Sequence, residues 1–331
     1  MAAHVSLQEP PMSNVILSIQ SLSKNYELGS AFSRGKDVVH AVENINLEIF
    51  EGETLGIVGE SGCGKSTLGR MIVRLEEPSS GSITFEGKDL AKESNKKMRT
   101  IRKRLQMIFQ DPYASLNPRR QIGKIVEEPL RVHGVKASER RAIAQDLLAK
   151  VGLDSDAYEK YPHEFSGGQR QRVVIARALA LNPRLVVADE PVSALDVSIQ
   201  AQVLNLFEDL QKEFNLTYIF IAHDLGVVRH VSDRIAVMYL GKIVELAGAD
   251  DLYEKPAHPY TKALLSANPR MDASDTRERI ILKGDIPNPI NRPTGCVFHP
   301  RCPKAQTRCE TESPTLINIG ERQVACHFPE I

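Results

Sequence analysis

The chain has 331 residues, 42% hydrophobic and 25% charged, with 42 Lys and Arg balanced by 42 Asp and Glu. A chain of this size buries one large core or two smaller ones, and its even charge balance argues against a general affinity for polyanions such as nucleic acid. No stretch approaches about 18 consecutive apolar residues, so a membrane role has to be borrowed from a partner.

Residues 1–14 include Glu9, Pro10 and Pro11 and lack an apolar h-region. They read as a flexible N-terminus and not as a secretory signal. Five cysteines without such a signal fit a reducing compartment, where disulfides do not persist. Leu17-Ser18-Ile19-Gln20 and Ile45-Asn46-Leu47-Glu48-Ile49 alternate apolar and polar residues, as half-buried strands do. Gly29 to Lys36 is small and polar, a loop between them. Tyr26, ahead of that loop, reads equally as a stacking platform for a nucleotide base or as a packed core tyrosine.

Leu55-Gly56-Ile57-Val58 predicts a buried strand, and Leu68 to Val73 opens a helix-compatible segment. Between them Gly59-Glu60-Ser61-Gly62-Cys63-Gly64-Lys65-Ser66-Thr67 fits G-x-x-x-x-G-K-[ST]. A strand–loop–helix of this kind turns backbone N–H groups and a helix N-terminus toward one anion. Lys65 would reach the β- and γ-phosphates, and the Ser66 hydroxyl would ligate Mg²⁺. Cys63 holds a variable loop position, where its small size is what counts.

Ile83-Thr84-Phe85 predicts another short strand, and the basic run Lys96 to Arg104 reads as a solvated helix face before a nucleic-acid patch. Gln106 to Phe109 predicts a strand ending at Gln110. Residues 111–180 turn helical, with Ser138 as an expected N-cap, Ile143, Leu147 and Val151 on one face, and Gly152 as a stop. Ser166-Gly167-Gly168-Gln169 opens a further helix; alone it reads as a linker turn or as a second phosphate-facing helix start.

Leu185 to Ala188 is an unbroken apolar run, as in a central parallel strand, and it ends in Asp189-Glu190. Acids at the C-terminal end of such a strand sit where open α/β sheets bind ligands; the alternative is a solvated strand end. Neighbouring strand residues point to opposite faces, so a division of labour is expected. Asp189 would hold Mg²⁺ through its water shell, and Glu190 would polarise an attacking water. Tyr218 to Ala222 predicts a further buried strand ending at His223, a residue that in isolation reads as structural. Arg234 to Val244 predicts two short strands around Leu240-Gly241.

Taken together and in order, these pieces resemble the ATP-binding subunit of ABC transporters over residues 15–265. The resemblance identifies Gly59–Thr67 with Walker A, Gln110 with the Q-loop, Ser166–Gln169 with the signature, and Asp189 with Walker B. Glu190 matches the catalytic carboxylate, Ser193 to Asp196 the D-loop, His223 the switch histidine, and Tyr26 the adenine-stacking aromatic. Phe165 stands where many members carry Leu. The implied fold is a RecA-like P-loop α/β core with an antiparallel β layer and an inserted helical subdomain. The implied cofactors are ATP and Mg²⁺, with Ser66, Asp189 and Gln110 around the metal. Head-to-tail pairing would place ATP between Walker A of one subunit and the signature of the other.

After residue 265 the chain is rich in proline and cysteine, and Pro256-Ala257-His258-Pro259-Tyr260-Thr261 with Ile286 to Cys296 resembles the extension of oligopeptide/dipeptide importer ATPases. That resemblance implies a second, homologous ATPase subunit, two transmembrane permease subunits, an extracytoplasmic peptide-binding protein, and a place on the cytoplasmic face of the bacterial inner membrane. Cys296, Cys302, Cys309 and Cys326 lie in this extension without the paired spacing of zinc sites. Four thiols suit a [4Fe–4S] cluster, with zinc or no metal as the alternatives. ATPases of DNA repair or chromosome structure carry long coiled-coil insertions, and this chain has no heptad run between Walker A and the signature.

Overall fold

The computed structural model describes residues 14–28, 37–267 and 279–330. The N-terminal segment before residue 14 and the loop expected at Gly29 to Lys36 lie outside them. Strands β1 (Val15–Leu28) and β2 (Asp37–Phe50) pair antiparallel. After β3 (Thr54–Val58) enters a second sheet, β4 (Ser80–Phe85) and β5 (Lys88–Asp89) return to the first, in the order β2-β1-β4-β5. The alternation read in the sequence turns Leu17, Ile19, Ile45 and Leu47 inward. There they share a core with Leu68, Met71 and Ile72 of the helix Lys65–Ile72, so the antiparallel layer covers that helix.

The second sheet is the main one. β6 (Leu105–Ile108), β7 (Leu185–Asp189), β8 (Thr217–Ala222) and β9 (Arg234–Tyr239) join β3 in a parallel array ordered β9-β3-β8-β7-β6. Its central strands are buried on both faces, which explains their continuous apolar runs: Leu185, Val186, Val187 and Ala188 are all 0% exposed. β10 (Lys242–Gly248) then turns back antiparallel on β9.

Three longer helices, Ile122–Val132, Ala137–Lys150 and Gly167–Leu179, with a short one at Pro112–Ser115, lie between β6 and β7 and form the expected helical subdomain. One detail differs from the sequence reading. Lys136 occupies the N-cap of the second helix and Ser138 lies within the first turn, so the hydroxyl does not cap it. Ala144, Leu147 and Leu148 carry its buried face, with Ile143 only partly covered. The basic run forms a helix, Asn95–Ile101, that buries Met98 and Ile101 and leaves Lys96, Lys97 and Arg99 exposed. It is a solvated helix face.

The C-terminal segment does not hang from the core. β11 (Ile317–Ile319) and β12 (Arg322–Val324) form a hairpin, and β12 pairs with β10 at Glu245↔Val324, extending the main sheet. Phe298, 0% exposed, enters the same core as β9 and the helix Pro259–Ala267.

Candidate functional site

β3 delivers the chain to the edge of the parallel array, where it must turn sharply into the helix Lys65–Ile72. Gly64 makes that turn at φ 104°, and a Cβ there would stand 2.1 Å from the Ala41 carbonyl oxygen, so only glycine fits. Lys65 is 4% exposed, and its ammonium donates to the Gly59 carbonyl at 2.7 Å and to the Glu60 carbonyl at 3.1 Å. The loop thus holds the cation over its own carbonyls, at the positive end of the helix.

The Ser66 hydroxyl donates to Asp189 Oδ1 at 2.8 Å. Burial at the end of β7 raises the Asp189 pKa, opposed by the Ser66 hydrogen bond and reinforced by the Glu190 charge. Glu190 follows with φ 47°, its N–H donating to the Ile221 carbonyl. Its carboxylate consequently leaves Asp189: Oε2 accepts from Gln110 Nε2 at 2.9 Å and lies 3.6 Å from His223 Nδ1. Side chains following β6, β7 and β8 therefore meet at one point. The two neighbouring acids face different partners because Glu190 leaves the strand at a positive φ.

These groups enclose a cleft of about 360 Å³. Ser61, Gly62, Gly64, Lys65, Ser66 and Thr67 form one wall, Gln110, Glu190 and His223 the far end, and Val39, Ala41 and Pro289 complete the lining. Gly59, Glu60 and Cys63 are absent from this lining: Gly59 and Glu60 support Lys65 from below, and Cys63 is buried. Tyr26 does not line the cleft either. Its hydroxyl bonds Glu76, and Lys24 Nζ stands 5.0 Å from its ring centroid. The Ser66 hydroxyl and the Asp189 carboxylate are the hard oxygen donors that Mg²⁺ takes, and Gln110 stands beside Glu190 at the same end of the cleft.

Ser166 to Gln169 lies elsewhere. Ser166 Oγ accepts from Gln169 N–H at 3.3 Å and Gln169 Oε1 accepts from Ser166 N–H at 3.0 Å, a capping box on the helix Gly167–Leu179. Gly168 lets this helix start press on the helix Val197–Phe214, since a Cβ would meet Ile199 Cγ2 at 2.5 Å. Asp196 occupies the N-cap position of that second helix without a side-chain capping bond and is exposed, next to Val197 at 80% exposure. None of these residues lines the cleft.

The four cysteines of the C-terminal segment do converge. Cys296, Cys302, Cys309 and Cys326 line one cavity of about 10 Å³ together with Phe298 and Phe328. That is the scale of a single water. Among the described residues, no group of three or more His, Cys, Asp or Glu side chains is placed to hold a metal ion. The expectation of a [4Fe–4S] cluster, and zinc with it, is therefore not supported: the thiols pack as small apolar groups. Burial first, and then the neighbouring thiols, push Cys326 up to about 11.

Sequence reading missed Glu60 as a partner of Arg301 and missed Pro289 in the cleft wall. These partners are separated by 241 residues along the chain, and no local pattern announces them.

A P-loop at the edge of a parallel sheet, an acid pair split between the P-loop serine and a glutamine–histidine partner, and a second capped helix start define an ATP-binding cassette. A model described as ABC transporter matches residues 42–193, and one described as the C-terminal region of oligopeptide/dipeptide transporters matches residues 244–309. The chain is 54% identical to the oligopeptide transport ATP-binding protein AppF of Bacillus subtilis, over 95% of this chain and 97% of that one. It is 47% identical to the dipeptide transport ATP-binding protein DppF of Escherichia coli, over 97% of each. Among solved structures, the dimeric bacterial ABC transporter cassette MJ0796 matches with a TM-score of 0.63 and 30% identity, covering 70% of this chain and 98% of that one. The same cassette is also known as a dimer in a post-hydrolysis state bound to ADP and Pi, at a TM-score of 0.62. The chain belongs to the ATP-binding proteins of the ABC transporter family, and it is an ATPase of that class.

Proposed function

We propose that this chain is the ATP-hydrolysing subunit of an importer of dipeptides or oligopeptides, acting at the cytoplasmic face of the bacterial cell membrane. The observation that carries the reading is the joining of a complete ATPase cleft to a C-terminal region of the oligopeptide/dipeptide transporter type. The relatives named for peptide transport run over nearly the full length of the chain. No helix among the described residues is long and apolar enough to cross a membrane, so translocation falls to two permease subunits, supplied by an extracytoplasmic peptide-binding protein.

In this reading the P-loop N–H groups and Lys65 hold the β- and γ-phosphates, and Tyr26, which lies outside the cleft lining but reaches Thr67 through its hydroxyl, would take the base. Mg²⁺, held by Ser66 and Asp189 with Gln110 nearby, would neutralise phosphate charge. Glu190 orients and deprotonates the attacking water, His223 faces the γ-phosphate, and Gln110 passes the state of the cleft to the permease. Ser166 to Gln169 and Asp196 serve the nucleotide of a second, homologous ATPase subunit, so closure of the heterodimer around ATP drives the transport step. No step runs through an iron–sulfur cluster. The test is uptake of peptides of graded length by a strain lacking this chain. Loss of di- or oligopeptide uptake, restored by the wild type and not by Glu190→Gln, is expected; unchanged uptake of every length would refute the substrate assignment.

A further inference from the structure

Glu60, inside the P-loop, directs its side chain away from the cleft. Its backbone N–H donates to the Tyr260 hydroxyl at 3.0 Å. Its carboxylate receives two nitrogens of Arg301, at 2.7 Å and 3.1 Å. The Arg301 side chain is 9% exposed and that of Glu60 23%, so this is a bidentate and largely desolvated ion pair. Glu60 is thus gripped at both its backbone and its side chain by groups far away in sequence.

Both grips stand on one aromatic cluster. Phe298 packs edge-on against Tyr239 at 5.2 Å and lies 5.3 Å from Tyr260, and Tyr239 and Tyr260 are 4.7 Å apart. Phe298 and Arg301 lie three residues apart, in the turn between Cys296 and Cys302, where Cys296 N–H is tied to the Cys309 carbonyl. The thiol-lined knot therefore fixes the base of the Arg301 side chain. A second tie from the same segment runs to the other wall of the cleft: Arg292 bonds Glu43 and the His40 carbonyl, and His40 N–H donates to the Pro289 carbonyl at 3.3 Å. The segment reaches the ATP cleft from two sides.

We propose that Arg301 is a positioning residue of the ATP site. It holds Glu60 so that the Glu60 carbonyl, with that of Gly59, keeps the Lys65 ammonium in place, and it neutralises a carboxylate that would otherwise repel the triphosphate. The proposal rests on the reading of the cleft as an ATP site. An uncompensated charge within the loop acts on several phosphate charges through a partly desolvated medium, which sets the expected loss at about tenfold in affinity.

The experiment is calorimetric titration of the purified full chain with MgATP, with the melting temperature without nucleotide recorded for each variant. Arg301→Ala should weaken MgATP binding about tenfold, because it loses both the grip on Glu60 and the charge that neutralises its carboxylate. Glu60→Gln loses the grip but leaves no bare carboxylate, so it should weaken binding less. The double variant should resemble Glu60→Gln and bind better than Arg301→Ala, and Arg301→Lys should fall between Arg301→Ala and the wild type. Loss of packing alone would instead make the double variant as weak as Arg301→Ala or weaker. Unchanged affinity in Arg301→Ala, or a double variant no better than Arg301→Ala, overturns the proposal. If Arg301→Ala does not fold, Arg301→Lys decides, and unchanged affinity there rejects it. Lys65→Ala serves as control: MgATP binding intact there would sink the ATP-site reading itself, and not this residue's role.

Discussion

The molecule has two helix starts built from small residues, at Gly64 and at Ser166, and they differ in what surrounds them. The start at Gly64 and Lys65 opens into a cleft with Glu190, Gln110 and His223 grouped at its far end and Asp189 buried behind Ser66. The start at Ser166 satisfies the Ser166 and Gln169 N–H groups with its own capping box, presses Gly168 against Ile199, and has no acid or cation of this chain's cleft before it. One is equipped for chemistry and the other only for contact. The comparison teaches that a phosphate-facing helix is not by itself an active site: charge-bearing side chains from neighbouring strands must reach it.

The largest effect should come from the equipped start. Glu190→Gln in the assembled complex is expected to lower ATP turnover by about 10²–10⁴-fold, the usual worth of general base catalysis, while nucleotide binding persists; full turnover in a phosphate-release assay would remove Glu190 from the chemistry. Lys65→Ala should next weaken MgATP binding by roughly 10–100-fold, the range for hydrogen bonds to charged groups.

The third prediction concerns the support beneath the P-loop. Burial holds His258 down to about 3, and its Nδ1 accepts the Tyr260 N–H at 3.1 Å, which requires the neutral ring. A histidine depressed in the folded state contributes stability that is present above its ordinary value of 6.5 and is lost as pH falls toward about 3. Acid titration of the melting transition should therefore show up to about 1.4 kcal/mol lost per pH unit below that value, a slope that His258→Gln flattens. An identical slope in that variant would assign the acid sensitivity to another group.

The smallest effect belongs to the second start. Ser166→Ala should lower the stability of the helix by about 1 kcal/mol and leave MgATP affinity of the isolated chain unchanged, while turnover falls once the partner subunit is present. A loss of affinity in the isolated chain would show that Ser166 belongs to the chain's own cleft, and would erase the contrast between the two helix starts.

Much of the cleft was legible because its residues sit at the ends of buried strands, and buried parallel strands announce themselves as apolar runs. Leu55–Val58, Leu185–Ala188 and Tyr218–Ala222 marked where Gly59, Asp189 and His223 emerge. Spacing in the sequence could not show that φ 47° at Glu190 turns its carboxylate from Asp189 toward Gln110. The cysteines were misread for a related reason. A count of four thiols describes a donor set, but whether they enclose a metal or a water-sized gap depends on how Phe298 and Phe328 pack among them.

Local sequence by itself determined the strand edges, the left-handed P-loop turn at Gly64 with φ 104°, and the self-capped helix at Ser166. Each of these depends on neighbours within a few residues, where sterics and hydrogen bonding act directly. Tertiary structure alone decided that the C-terminal segment adds β12 to the main sheet and brings Arg301 to Glu60. The reason is burial. Phe298 finds cover only between Tyr239 and Tyr260, and that packing carries a guanidinium to a carboxylate which no local rule connects with it.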